Sequence, residues 1–135
     1  MNSPHFSARP ARILIVDDEP DNRHLLQIVL NWYGFTTLTA ESGEEALATA
    51  AEQPLDLVML DLMMPGLDGH EVTVRLKGNP ATRHIPVMII SAMIDDSTRM
   101  RLLKAGALDF IGKPFDRCEL SQRVRLILRL KTAIA

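Results

Sequence analysis

Three aspartates, a serine and a lysine draw attention because each sits at the end of an apolar run. Asp17 and Asp18 follow ILIV, Asp61 follows LVML, Ser91 follows VMII, and Lys113 follows FIG. Burying an unpaired charge costs roughly several kcal/mol even after relaxation, so a carboxylate closing a buried run needs a compensating group. If the three acids meet at one rim, they repel each other. Either one keeps its proton or a cation sits among them. All-oxygen ligands on a water-accessible rim favour a hard ion that keeps several waters, which is Mg²⁺, with Mn²⁺ as a substitute. A metal and the Lys113 ammonium together would draw in an anion with several oxygens, such as a phosphoryl group. A carboxylate can then attack it and form an aspartyl-phosphate. Such a transfer asks mainly for positioning and charge neutralisation, to which Ser91 would add a hydrogen bond.

The elements that must position these groups can be read from the same sequence. Short apolar runs at Arg12–Val16, Thr36–Thr39, Asp56–Leu60, Pro86–Ile90 and Leu108–Ile111 are expected to be strands. Several are apolar on both faces, as parallel strands buried between helices should be, and the threonines of the second point to a sheet edge. Five helical segments alternate with them. In the first, Leu25, Ile28, Val29 and Trp32 fall at i, i+3, i+4 and i+7, and Gly34 can end it in a left-handed cap. Ser42 with Glu45, Asp68 with Glu71, and Asp116 with Glu119 are capping pairs for the second, third and fifth. Asp95 or Asp96 opens the fourth and Gly106 closes it. The fifth carries the stripe Leu120, Val124, Ile127 and Leu128. Alternating β and α units predict an α/β, doubly wound, five-stranded parallel sheet of order 2-1-3-4-5, with right-handed crossovers. Ligands bind such sheets beyond the carboxyl ends of the strands where the order reverses, here between strands 1 and 3. All five chemical groups lie at strand carboxyl ends.

Composition narrows the classes. The chain has 135 residues, 47% apolar and 24% charged, with net charge −2, which fits one globular domain without an overall pull toward nucleic acid or anionic membrane. The single cysteine, Cys118, allows no internal disulfide and fits a reducing cytoplasm. The longest apolar stretch, Pro86 to Ile94, is far short of the ~20 residues that span a bilayer. MNSPHFSARP has no apolar signal-peptide core. The expected division is a lead-in at 1–11, one domain at 12–131, and a tail at 132–135 that is either the end of a stand-alone domain or the start of a linker to an output domain.

ILIVDDEP, VMLDLMMPGLDG, MIISA and GALDFIGKPF, in this order and spacing, resemble the receiver domain of two-component response regulators, a CheY-like, flavodoxin-like fold. The resemblance runs from about Arg12 to Leu130. It implies a signalling switch without a turnover substrate. Asp61 would take a phosphoryl group from a sensor histidine kinase or a histidine phosphotransfer protein. Asp18 would hold Mg²⁺ directly, Asp17 largely through water, and Met63 through its main-chain carbonyl. Ser91 and Phe110 would occupy the two switch positions and Lys113 that of the family's lysine, with a cis bond expected at Lys113–Pro114. Phosphorylation would shift the population toward a conformer with an altered face on the fourth helix, fifth strand and fifth helix, which could pair as a homodimer. No direct contact with nucleic acid or membrane is implied. The positions two after the acceptor and two after the serine, which tune phosphoryl lifetime in the family, are here Met63 and Met93. Thioethers orient an attacking water poorly, so slow loss of phosphate is expected.

Each residue also has a plain reading. Asp17 and Asp18 could be helix N-terminal acids, Asp61 a turn residue, Lys113 a solvated lysine, Ser91 a turn hydroxyl and Phe110 core. Four in-register motifs outweigh these. His5, His24, His70 and His84 lack metal-pair spacing and read as surface; Cys118 reads as a spectator; the methionines read mostly as core filler. An FMN carrier would need a Ser/Thr/Gly-rich phosphate loop where DDEP stands. A haloacid-dehalogenase-type phosphatase would need D-x-D after the first strand, and a degenerate receiver would have lost an acid or the lysine. In RVRLILRLKTAIA, Leu126, Leu130 and Ala133 extend the apolar surface of the last helix beyond one stripe, which fits equally a greasy terminal helix with no further role and a dimer contact or a lead into an output domain.

Overall fold

The computed structural model describes residues 9–92 and 94–134, without the side chains of 132–134. Met93 and the first eight residues of the expected lead-in lie outside the described residues. Five strands, β1 (Arg12–Val16), β2 (Thr36–Ala40), β3 (Leu57–Asp61), β4 (Val87–Ser91) and β5 (Asp109–Gly112), alternate with five helices. These are α1 (Pro20–Trp32), α2 (Gly43–Glu52), α3 (Gly69–Gly78), α4 (Asp96–Ala105) and α5 (Arg117–Ile134). All strand pairs are parallel, and the order is β2-β1-β3-β4-β5.

Strand alternation divides the core in two. Leu14, Val16, Val58, Leu60, Val87, Ile89 and Phe110 pack with Ala46, Val72, Leu76 and Leu102 of α2, α3 and α4. Ile13, Ile15, Leu57, Met59, Met88, Ile90 and Ile111 pack with Leu26, Val29 and Leu30 of α1 and Leu120, Val124 and Ile127 of α5. Every residue of β3 and β4 is buried, whereas β2 is partly exposed at the edge, as its threonines predict.

Three strands run one residue later than their apolar runs imply, because the parallel ladder extends to Asp61, Ser91 and Gly112. The polar groups therefore end the strands instead of following them. The α1 stripe needs a larger correction. Leu25, Ile28 and Trp32 are exposed, Trp32 by 83%, and the buried set is Leu26, Val29 and Leu30. Two apolar registers share this helix, and the sheet takes the one that brings Leu26 and Leu30 inward.

The caps fall as expected. Ser42, Asp68, Asp95 and Asp116 accept from the backbone N–H groups of Glu45, Glu71, Thr98 and Glu119. Gly34 and Gly106 adopt positive φ after α1 and α4. The boundary expected at 131 falls inside α5, which continues to Ile134. Among the methionines, 59, 64 and 88 are core, but Met63 and Met100 are exposed. Among the described residues, no helix is long and apolar enough to cross a membrane.

Candidate functional site

The strand order makes β1 and β3 neighbours, so Asp17 and Asp61 come together past the carboxyl ends of the sheet. Ligand oxygens of Asp17, Asp18 and Asp61 all lie within 4.8 Å of one another. Asp17 and Asp61 are buried, and Asp18 is the most exposed of the three. From the far side of the rim, the Lys113 ammonium approaches to 3.0 Å from Asp17 Oδ2 and 3.7 Å from Asp61 Oδ2. An open cleft of about 460 Å³ forms over this cluster, lined by Asp18, Glu19, Asn22, Asp61, Met63, Ser91, Ala92 and Lys113.

Local hydrogen bonds fix these groups. The Asp17 N–H donates to Ala40 O at 3.2 Å, extending the β1–β2 ladder, and Asp17 Oδ1 accepts from the Glu19 N–H at 2.9 Å. Glu19 is the N-cap of α1 and its side chain makes no cap hydrogen bond, so Asp17 turns the chain into the helix. Arg23 Nη1 donates to the Asp17 carbonyl at 2.8 Å, tying α1 back to the site. Asp61 Oδ1 accepts from the Met63 N–H at 3.3 Å. The Lys113 N–H donates to Ser91 O at 2.9 Å, setting the lysine beside β4, and the Lys113–Pro114 bond is cis.

Burial pushes the Asp61 carboxyl above the usual carboxylate range. Lys113 opposes this, the Asp17 charge reinforces it, the Met63 N–H opposes it, and Asp18 adds a smaller upward push. One nearby ammonium does not balance three carboxylates. The donor set is all oxygen, half wet and excess-negative, and fits a small hard cation.

Ser91 is buried at the floor of the rim, and the Phe110 ring is buried one strand further on. The guanidinium of Arg99, from α4, stands 4.8 Å from the centroid of that ring. Sequence reasoning did not find Arg99 or Asn22. Asn22 has a signal in hindsight, since it is one turn into a helix that starts at the acids; Arg99 has none, because its contact depends on how α4 packs. His24 and His84 are exposed, and Cys118 is exposed and free.

Comparison with known proteins identifies the family. Residues 13–125 match the response regulator receiver domain, and the chain belongs to that family of signalling domains. It is 45% identical over 124 residues to the response regulator PleD of Caulobacter vibrioides, covering 92% of this chain and 27% of PleD. It is 40% identical over 123 residues to the transcriptional regulatory protein KdpE of Mycobacterium tuberculosis, covering 91% of this chain and 53% of KdpE. The chain thus spans between a quarter and about half of these relatives. Among solved structures, a putative response regulator from Chloroflexus aurantiacus superposes with a TM-score of 0.84 at 36% identity, covering 89% of this chain and 98% of that one. The receiver domain of a sensor histidine kinase from Pseudomonas aeruginosa, with a magnesium ion coordinated in its active-site cleft, gives 0.81 at 28% identity, covering 88% of this chain and 98% of that one.

Proposed function

We propose that this chain is a phosphoacceptor switch in which Asp61 takes a phosphoryl group from a phosphohistidine donor. The observation that supports this best is the meeting of three carboxylates within 4.8 Å of one another beside the Lys113 ammonium, in a chain of this family. An Asp61 carboxylate oxygen attacks phosphorus; the new O–P bond forms as the donor's N–P bond breaks, and the imidazole keeps the electron pair. Asp17, Asp18, Asp61 and the Met63 carbonyl are the groups that would hold Mg²⁺. Bound there, Mg²⁺ neutralises charge on the phosphoryl oxygens. Lys113 contributes a second positive charge and the Ser91 hydroxyl a hydrogen bond. Asp17, held by Lys113 and its own turn, keeps the cluster in place. Movement of Ser91 toward the phosphoryl group would shift Phe110, and with it the surface of α4, β5 and α5 that meets a downstream partner or a second copy.

The donor would dock on α1. Asn22 lines the cleft, and Leu25 and Ile28 continue outward from it as exposed apolar residues. They form a greasy strip beside the nucleophile, a suitable seat for a helical donor.

Incubation with acetyl phosphate and Mg²⁺ tests the reading: one phosphoryl group should appear by intact-mass analysis, map to Asp61, and be absent in Asp61→Asn or with a chelator. Labelling elsewhere, or none, would refute it. In the same preparation, the label should decay faster in Met63→Asn, whose amide can orient a water where an exposed thioether does not.

A further inference from the structure

A second concavity lies at the opposite end of the sheet, among the amino ends of β4 and β5. It measures about 460 Å³, and its lining includes Lys77, His84, Gly106, Leu108, Leu130 and Lys131. Its walls are mostly apolar. Leu108 is 49% and Leu130 45% exposed, and Leu126, one turn before Leu130 on α5, is 54% exposed. An apolar surface of this kind left open to water marks a contact site more often than chance.

Charge selects the partner. No lining residue is acidic, and two are lysines. Lys131 is paired with Asp56 at 2.9 Å. Lys77 is different. Its ammonium donates to Ile85 O at 2.6 Å and Arg83 O at 3.0 Å, but it has no carboxylate partner among the described residues. An ammonium has three donors, so one stays available. Burial alone lowers the pKa of Lys77, the response of a charge with no counter-ion.

We propose that this groove docks an acidic amphipathic segment of a partner protein, whose apolar side chains enter between Leu108 and Leu130 and whose carboxylates meet Lys77 and His84. A single lipid tail would fill the concavity and leave Leu126 bare, whereas a peptide two turns long covers both. The groove lies apart from the carboxylate cluster and shares no lining residue with it.

A fluorescein-labelled peptide of leucines at helical spacing with glutamates between them is the probe, read by anisotropy against the full chain. Saturable binding is expected, weakened about tenfold or more by Leu108→Asp or Leu130→Asp, both exposed positions that leave the core intact. It should weaken with added salt, and a copy of the peptide with lysine for glutamate should not bind. Amide shifts in ¹⁵N spectra should centre on Gly106, Leu108 and Leu130. Equal binding of the lysine peptide, shifts centred on α1, or binding of dodecanoate, anionic vesicles or duplex DNA in place of the acidic peptide would each overturn the proposal.

Discussion

At the scale of single residues, Asp61 combines two demands that conflict. A nucleophile must be ionised, yet burial and the neighbouring Asp17 and Asp18 favour its neutral form. The folded protein therefore holds the Asp61 proton to a higher pH than the unfolded chain does. That proton stabilises the fold at low pH, and the stabilisation is lost as pH rises through the raised pKa. Without metal, Asp61→Asn should raise Tm by several degrees at neutral pH, and the gain should vanish below pH ~4, where the unfolded carboxylate is protonated as well. Thermal melts of both proteins in a chelator across that range would check it; a gain that persists at low pH would point to packing instead. Which residues gather at this site was legible from their types and their positions after apolar runs. The raised pKa was not, because it depends on how deeply the fold covers the carboxyl, against which Lys113 at 3.7 Å pulls only part of the way back.

At the scale of elements, the end of β3 and the start of α3 are pressed together. A Cβ on Gly69 would lie 2.7 Å from both the Asp61 carbonyl oxygen and the Leu62 Cα, which are backbone atoms that cannot step aside. The Gly69 N–H donates to Leu62 O at 2.9 Å, closing the loop that carries Met63. Gly69→Ala should cost about 1–3 kcal/mol in urea denaturation and slow phosphorylation of Asp61 by moving its backbone. The caps of α2 to α5 were readable because capping chemistry is local. The inward face of α1 was not. Leu25, Ile28 and Trp32 compete with Leu26 and Leu30 on equal hydrophobic terms, and only packing on the sheet decides between them. The strand ends were misjudged by one residue for a related reason: a polar residue ends an apolar run but does not end a hydrogen-bonded ladder.

At the scale of the whole molecule, the two apolar surfaces lie at opposite ends. One runs along α1 beside the carboxylates; the other is the basic groove between Leu108 and Leu130. Leu25→Ala with Ile28→Ala removes only exposed side chains, so the fold and the cluster should survive. Transfer from a phosphohistidine donor should slow by about tenfold or more, as for loss of interface anchors, while labelling by acetyl phosphate stays unchanged. Equal loss with both donors would mean that the variant damages the site itself. The overall topology was the most legible level, since five alternating β and α units with right-handed crossovers fit a doubly wound parallel sheet and four motifs in register single out this order. The groove was the least, because its residues come from α3, two loops and α5, which no stretch of sequence brings together.

Trp32 is the only tryptophan in the chain and stands 83% exposed at the far end of the α1 strip. The protein therefore carries one built-in optical reporter, set on one of its two surfaces. Its emission should be red-shifted and open to quenching by iodide in the free chain. A donor that extends along α1 should shift it to the blue and shield it, whereas a peptide in the basic groove should leave it unchanged. A single emission spectrum can thus say whether a partner lies along α1 or elsewhere.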